Sequence, residues 1–226
     1  ETGELRQQWL RKASATTETR LERPGLALEI LLKAFAEAPD DDLFASDVER
    51  LSDATGEWRQ SIASWQRAAE VEESAVTYHR RLVRWIARYQ ADAYDLQPHY
   101  QAILVQKPDD REAILALVAL SEDEPDAQLE LLEKLLAITE ENEEKQRLRL
   151  RLARSYDRML KGKQARAYWD AVLLESPADE EALRGLLRLS RREADDDRLL
   201  GVIDALLPSV TGKEAYDLAE EKATAL

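Results

Sequence analysis

The sequence of 226 residues contains no cysteine and has only seven glycines, seven prolines and two histidines. Without cysteine the chain forms no disulfide and no thiolate-bound metal site, so cysteine content does not indicate a redox compartment. The scarcity of glycine, proline and β-branched residues, beside many Ala, Leu, Glu and Arg residues, favours helices over sheets. We therefore predict an all-α fold.

The sequence also lacks any run of eighteen or more apolar residues, and its start, ETGELRQQWLRK, has no apolar signal-peptide core. We expect a soluble chain without membrane insertion, in either the cytoplasm or the periplasm. It begins and ends close to amphipathic segments, so we expect a piece of a longer protein. The formal net charge of −14 argues against nucleic acid as a partner.

The sequence contains few residues and motifs of the kinds that are typical of catalytic sites. There are two histidines, His79 and His99, a single asparagine, Asn142, and no glycine-rich loop or nucleophile motif. We interpret the histidines as polar surface residues that share no metal. The sequence therefore predicts no enzyme activity, no cofactor and no metal site.

Prolines recur at regular intervals along the chain, at predicted boundaries between helices. Pro39, Pro108 and Pro177 are evenly spaced, and each is followed by acidic residues and an apolar helical pattern. Half of the distance in sequence between two successive prolines of this set is about the length of one helical hairpin repeat. At the intermediate boundaries we predict that Ser74 and Thr139 are helix N-caps.

Two helical patterns joined by a short turn recur inside each interval. Thr55-Gly56 and the 161–163 segment, Lys-Gly-Lys, form such turns, and Pro24 and Pro125 suit the first turn of a helix. The segment QRLRLRLAR alternates like a strand, but its residues are strong helix formers, so we predict a helix there. Pro98 falls inside an expected helix, which must therefore begin late or bend.

Small, aromatic and proline residues occupy equivalent places in these units. The clearest unit, about 146–179, carries the set Leu152, Ala153, Tyr156, Ala165, Trp169, Val172 and Pro177. This pattern resembles the tetratricopeptide repeat, a helix-turn-helix of about 34 residues. Trp65 and Trp169 share one repeat position, so we predict that both are core residues.

The resemblance implies a right-handed α-α superhelical solenoid formed by one domain, 1–226. The expected hairpins are 3–39, 40–73, 74–108, 109–142, 143–177 and 178–211, followed by a terminal helix, 212–226. In this family the first helices of the hairpins line the inner, concave surface.

Positive charge is concentrated in three of the predicted first helices. Residues 75–91 and 182–192 each carry four arginines and no acid, and 145–158 carries six basic residues and one acid, although the whole chain is strongly acidic. In the register of the family, eight of these arginines and one leucine of the fourth hairpin face the groove. The candidate partner-binding residues are Arg80, Arg84, Arg88, Leu115, Arg147, Arg154, Arg158, Arg184 and Arg188.

Two interpretations of these arginines stay open. They bind an acidic segment of another protein, since guanidinium groups match carboxylates, or they only pair with acids of neighbouring helices. The fourth hairpin, with Glu112, Leu115 and Ala119 at its inward positions, interrupts the basic stripe.

The sequence thus predicts a protein-interaction scaffold whose partner is a protein or peptide. The alternatives are a structural spacer or self-association module of a larger repeat protein, whose ends stack on further repeats, and a regulatory arm of an enzyme. Arginine outnumbers lysine by 23 to 9, which indicates a bacterial source.

Overall fold

A computed structural model describes residues 2–37, 41–70, 75–89 and 96–225, and every regular element in these ranges is an α-helix. The all-α prediction is confirmed. Pro39 and Ser74, which were expected at two repeat boundaries, lie outside the described residues. The helices are α1 Thr2–Thr19, α2 Pro24–Glu37, α3 Asp42–Thr55, α4 Trp58–Ala69, α5 Ala75–Tyr89, α6 Gln97–Gln106, α7 Arg111–Leu120, α8 Pro125–Ile138, α9 Asn142–Arg158, α10 Gly162–Glu175, α11 Glu180–Glu193, α12 Asp196–Leu206 and α13 Gly212–Ala225.

The chain divides into two compact units, Glu1–Leu120 and Ser121–Leu226. Within each unit every helix packs on the next one along the chain, and α2 also contacts α4, as α9 contacts α11. Contact between near neighbours only is typical of stacked helical hairpins. The assignment of hairpin boundaries and the right-handed superhelix stay predictions.

The helix ends follow from identifiable capping residues. The Asp41 carboxylate accepts hydrogen bonds from the backbone N–H groups of Leu43 and Phe44 at the start of α3, because the first N–H groups of a helix have no internal partner. Gly56 ends the same helix in the left-handed conformation (φ 73°), and its N–H bonds to the Ser52 carbonyl. Glycine adopts this conformation without the steric cost of a Cβ.

One capping prediction is wrong. Thr139 is the C-cap of α8, and its hydroxyl donates to the Leu135 carbonyl, whereas α9 begins three residues later with Glu141 as its N-cap. A threonine followed by several acidic residues is a common sequence pattern at the start of a helix. Here the hydroxyl instead bonds backwards to the carbonyl four residues earlier.

The structure decides between the alternatives that the sequence left open for two segments. The QRLRLRLAR segment lies within α9, where Leu148, Leu152 and Tyr156 are buried along one face. The helix around Pro98 begins late, since α6 starts at Gln97 and the proline occupies its first turn, where the missing N–H removes no helical hydrogen bond.

Aromatic side chains fill the core of the first unit. Phe35, Trp65, Tyr78 and Trp85 are all buried. The Trp65 ring meets Phe35 and Trp85 edge-on, with ring centroids 6.3 Å and 5.0 Å apart, an arrangement that aromatic quadrupoles favour. Helices α2, α4 and α5 are thereby joined in one cluster.

The core of the second unit is centred on Trp169 of α10, which has no exposed surface. Its indole lies against Gly185 of α11 so closely that a Cβ at that position would lie 2.7 Å from Cζ2. The prediction that Trp65 and Trp169 are core residues is confirmed. A search of the described helices for one long and apolar enough to cross a bilayer finds no candidate.

Candidate protein-binding surface

The predicted arginines of the first unit all lie on α5, and each is paired with an acid of another helix or its cap. Arg84 donates to Glu49 of α3 at 2.6 Å, and Arg88 lies 3.2 Å from Asp53 of the same helix. Arg80 pairs with Asp110, the residue before α7. The three side chains still expose about half of their surface or more (47–63%).

The arginines of the second unit are distributed between α9 and α11. Arg154 of α9 pairs with Glu181 of α11, while Arg188 of α11 lies 3.6 Å from Asp157 of α9. Arg184 of α11 has two acidic partners, Glu180 of its own helix and Glu214 of α13.

The last two predicted arginines differ from the others. Among the described residues, the acid that pairs with Arg147 belongs to its own helix and is Glu143, at 3.1 Å. Arg158 donates to the Ser155 hydroxyl at 3.3 Å, and no carboxylate among the described residues pairs with its guanidinium. The structure therefore brings most of the predicted arginines to acids of neighbouring odd-numbered helices.

The acidic partners of these arginines were not identified from the sequence, although their distance along the chain from each arginine follows a pattern. Arg84 and Glu49 are 35 residues apart, Arg80 and Asp110 are 30 apart, and Arg154 and Glu181 are 27 apart. Each separation is close to the length of one helical hairpin repeat. Opposite charges about one repeat apart indicate pairs between successive first helices.

These pairs shift the affinity of their groups for protons. Burial acts to raise the pKa of Asp110, but hydrogen bonds from the Ala113 N–H and the Arg80 guanidinium outweigh it and hold that pKa below its ordinary value. The hydrogen bond to Glu181 raises the pKa of Arg154, and those to Glu214 and Glu180 raise the pKa of Arg184. Both arginines therefore stay charged at every physiological pH.

One pocket of about 360 Å³ lies among α5, α6 and the start of α7. Its apolar lining is Val83 and Ala87 of α5, Ile103 of α6 and Ala113 of α7, with the Tyr100 ring beside them. Arg80, Arg84, Asp110 and Glu112 supply its charged lining. We call this cavity the apolar pocket, since most of its uncharged lining is apolar.

A second pocket of about 470 Å³ lies between α3 and α5, and we call it the arginine pocket. It is lined by Asp42, Ala45, Ser46, Glu49, Thr77, Arg80, Arg81 and Arg84. Three guanidinium groups face two carboxylates here, so the lining has a net positive charge. Arg80 and Arg84 contribute to both pockets, which are therefore adjacent.

Leu115, the predicted apolar contact, lies on α7 and is 43% exposed. Glu112, on the same helix, lines the apolar pocket. In the second unit, Arg158 lines a smaller pocket of about 320 Å³ with Ser155 and Met159 of α9 and the start of α8.

The two histidines, interpreted from the sequence as polar surface residues, lie next to each other in the structure. His79 of α5 and His99 of α6 are both half-buried, and their Nδ1 atoms lie 3.1 Å apart. Burial lowers the pKa of His79. Within the described ranges, three or more histidine, cysteine or acidic side chains nowhere converge in an arrangement that could hold a metal ion.

Helix length and packing between helices that are close in sequence define the fold class. In each unit the described residues form an all-α, helical-repeat fold. No protein-family model matches the chain, and a comparison with curated proteins finds no match.

Solved structures of similar fold include tetratricopeptide repeat proteins. One from Parabacteroides merdae shares 16% identity, with 97% of this chain and 86% of that chain covered and a TM-score of 0.41. PilF of Pseudomonas aeruginosa shares 14% identity, with 98% and 100% covered and a TM-score of 0.37. A thermophilic repeat protein of Thermus thermophilus shares 17%, with 97% and 98% covered and a TM-score of 0.34.

Proposed function

We propose that the protein is an interaction scaffold and that the first unit binds an extended segment of a protein partner across α3, α5 and α7. The observation that carries this proposal is the pair of adjacent pockets that share Arg80 and Arg84. Stacked helical hairpins present long surfaces of this kind to their ligands.

The linings of the two pockets favour different side chains of the partner. The arginine pocket has an excess of positive charge and suits one or more carboxylates, because guanidinium groups bind carboxylates through paired hydrogen bonds. The apolar pocket balances two arginines against Asp110 and Glu112, and its uncharged lining suits an apolar side chain. The proposed ligand is an apolar anchor flanked on one side by acidic residues.

The internal pairs of these arginines do not prevent binding. Arg84 is 63% exposed while it is paired with Glu49, and an exposed ion pair contributes about 0–1 kcal/mol. A guanidinium group has five N–H donors, so it can bind a second carboxylate without losing the first. Internal pairing holds the guanidinium in position for the partner.

The second unit supplies a further candidate contact region. The candidate arginines on α9 and α11 are Arg147, Arg154, Arg158, Arg184 and Arg188. In the described part of the chain the least restrained are Arg147, whose acidic partner is an exposed residue of its own helix, and Arg158. Leu115 remains a candidate apolar contact on α7.

A charge exchange tests the proposal and separates it from purely internal pairing. In the double variant Glu49→Arg/Arg84→Glu the internal pair is restored with reversed polarity, so stability should recover relative to Arg84→Glu alone. A partner captured from the source lysate, and then its isolated binding segment, should bind the double variant more weakly than the native chain. The difference should shrink as salt increases.

The matched control is Asp170→Arg/Arg198→Asp, which exchanges an ion pair between α10 and α12. This control should bind the segment as the native chain does. Native affinity in the Glu49→Arg/Arg84→Glu variant, after circular dichroism has shown an unchanged fold, would mean that a guanidinium at position 84, where it lines both pockets, is not used in binding.

Exposed apolar residues on α1 favour a second candidate function, association with another helical hairpin. Leu5 is 56% exposed and Trp9 is 69% exposed, and they lie four residues apart on one face. If this face mediates self-association, the native chain should show a concentration-dependent mass in sedimentation experiments, and Leu5→Glu/Trp9→Glu should remain monomeric. A monomeric native chain at all concentrations excludes it.

A further inference from the structure

The only two histidines of the sequence, one on α5 and one on α6, are in contact. His79 is in the first turns of α5 and His99 is near the start of α6, and their ring centroids are 5.3 Å apart with the planes tilted by 37°. The closest polar atoms are the two Nδ1 atoms, at 3.1 Å. Two neutral imidazoles in this contact form one hydrogen bond, in which one Nδ1–H donates and the other Nδ1 accepts.

The same separation suits two nitrogen ligands of one metal ion. Metal–imidazole bonds are about 2.0–2.1 Å long, and two such bonds with their nitrogens 3.1 Å apart enclose an angle of roughly 100° at the metal. This angle lies between those of square-planar and tetrahedral coordination. Both nitrogens are therefore within bonding reach of one ion once the two rings turn their Nδ1 lone pairs towards it.

We propose that His79 and His99 form a two-imidazole binding site for a late first-row transition-metal ion. On binding, the Nδ1 proton of the donor ring is replaced by the metal and that ring carries its proton on Nε2 instead, so both rings remain neutral ligands. Imidazole ligands suit copper, nickel and zinc, and the divalent affinity order places Cu²⁺ first. Water or a partner side chain supplies the remaining ligands.

The environment of the pair supports this proposal. Both rings are half-buried, and they face each other with their Nδ1 atoms closest. A site with two protein ligands has open positions, in contrast to the four-ligand closure of structural zinc.

A metal ion bound to both histidines would link two helices beside the apolar pocket. His79 precedes Arg80 in α5, and His99 precedes Tyr100 in α6, and both of these neighbours line the apolar pocket. An ion held by both rings therefore ties together two helices that form that pocket. Metal binding to the folded chain alone also stabilises it by mass action.

The test is titration of the full chain with CuCl₂, NiCl₂ and ZnCl₂ near pH 7 in a buffer that does not coordinate metals. Calorimetry should give one site per chain for Cu²⁺, and electron paramagnetic resonance of the copper complex should show coupling to imidazole nitrogens. The thermal unfolding midpoint should rise with each ion, most with Cu²⁺. MgCl₂ should have no such effect, because Mg²⁺ prefers oxygen ligands.

The variants His79→Gln and His99→Gln should each weaken Cu²⁺ binding by at least about tenfold, since even the loss of an outer partner of a ligand costs that much. Gln101→Ala, an exposed position on α6, should bind as the native chain does. Equal affinity in the native chain and the histidine variants would overturn the proposal, as it would show binding to carboxylates. If a variant fails to fold, a native copper spectrum without imidazole coupling overturns the proposal by itself.

Discussion

Gly185 shows how one residue determines the packing of a helix pair. It lies inside α11, where alanine normally stabilises by about 0.5–1 kcal/mol because glycine loses more backbone entropy on folding. At this position, however, the Trp169 indole occupies the space that a Cβ needs. Trp169 has no exposed surface and therefore little room to move away.

We expect Gly185→Ala to lower the free energy of unfolding, because overpacking a filled core costs about 1–3 kcal/mol and exceeds the entropic gain. Urea denaturation monitored by circular dichroism measures the change. The control is Gly201→Ala in α12, where a Cβ meets no atom within 4 Å and stability should rise. A stabilised Gly185→Ala variant would contradict the packing seen around Trp169.

His79 gives a prediction about pH. Burial lowers its pKa below the ordinary value of 6.5, so the unfolded chain binds a proton more readily than the folded chain does. The free energy of unfolding should therefore fall as the pH decreases below about 6.5. His79→Gln removes this contribution and should flatten the dependence on pH between neutrality and about pH 5.

Denaturation series at several pH values measure this slope for the native chain and the variant. The carboxylates of Glu18, Asp110, Glu214 and Glu221 have pKa values below their ordinary ones. The contributions of these carboxylates to the free energy of unfolding are lost only in stronger acid. They therefore do not mask the change due to His79 between neutrality and about pH 5. An unchanged slope in His79→Gln would show that burial does not control this group.

At the scale of helices, ion pairs connect successive odd-numbered elements. In the second unit such pairs join α9 to α11 and α11 to α13, and in the first unit they join α1 to α3 and α3 to α5. Each pair is at least partly exposed and is therefore weak by itself. Because complementary charges meet only in one alignment of the helices, we interpret the pairs as specifying the register between hairpins.

We expect the Arg154–Glu181 pair to show a coupling free energy of about 0.2–1 kcal/mol, the range for exposed ion pairs. The measurement is a double-mutant cycle with Arg154→Gln and Glu181→Gln, with all four proteins unfolded in urea. The coupling should decrease at high salt, since exposed charges are screened. Strictly additive losses at low salt would mean that the two side chains do not interact in solution.

At the scale of the whole molecule, each compact unit has its own buried core. The first is built around Trp65 and Phe35, and the second around Trp169 and Leu186. In arrays of hairpins, stability is approximately the sum of contributions from repeats and their nearest neighbours. A unit that retains several hairpins therefore retains most of its own stabilising contacts.

We expect a fragment consisting of Ser121–Leu226 to fold independently into helices α8–α13. Circular dichroism should show a helical spectrum, and urea should unfold the fragment cooperatively. The variant Trp169→Ala in the same fragment is the control, because loss of a buried tryptophan costs about 3–5 kcal/mol. A fragment without helical signal would show that the second unit requires the first.

The predictions that succeeded from sequence depend on local chemistry. Helix formation in α9 follows from the propensities of Arg and Leu, and the late start at Pro98 follows from the missing N–H of proline. The burial of Trp65 and Trp169 follows from their equivalent positions in a repeat. The Thr139 prediction failed because a threonine hydroxyl bonds equally well to a preceding carbonyl.

The sequence by itself determined the helical class, the sites of most turns and the concentration of arginine in three helices, because propensity, capping and composition act over a few residues. Only the tertiary structure decided that Arg84 meets Glu49, that Arg80 is shared by two pockets, and that His79 touches His99. These contacts join residues 20 or more positions apart. Their existence depends on the stacking offset of whole helices, which no local pattern encodes.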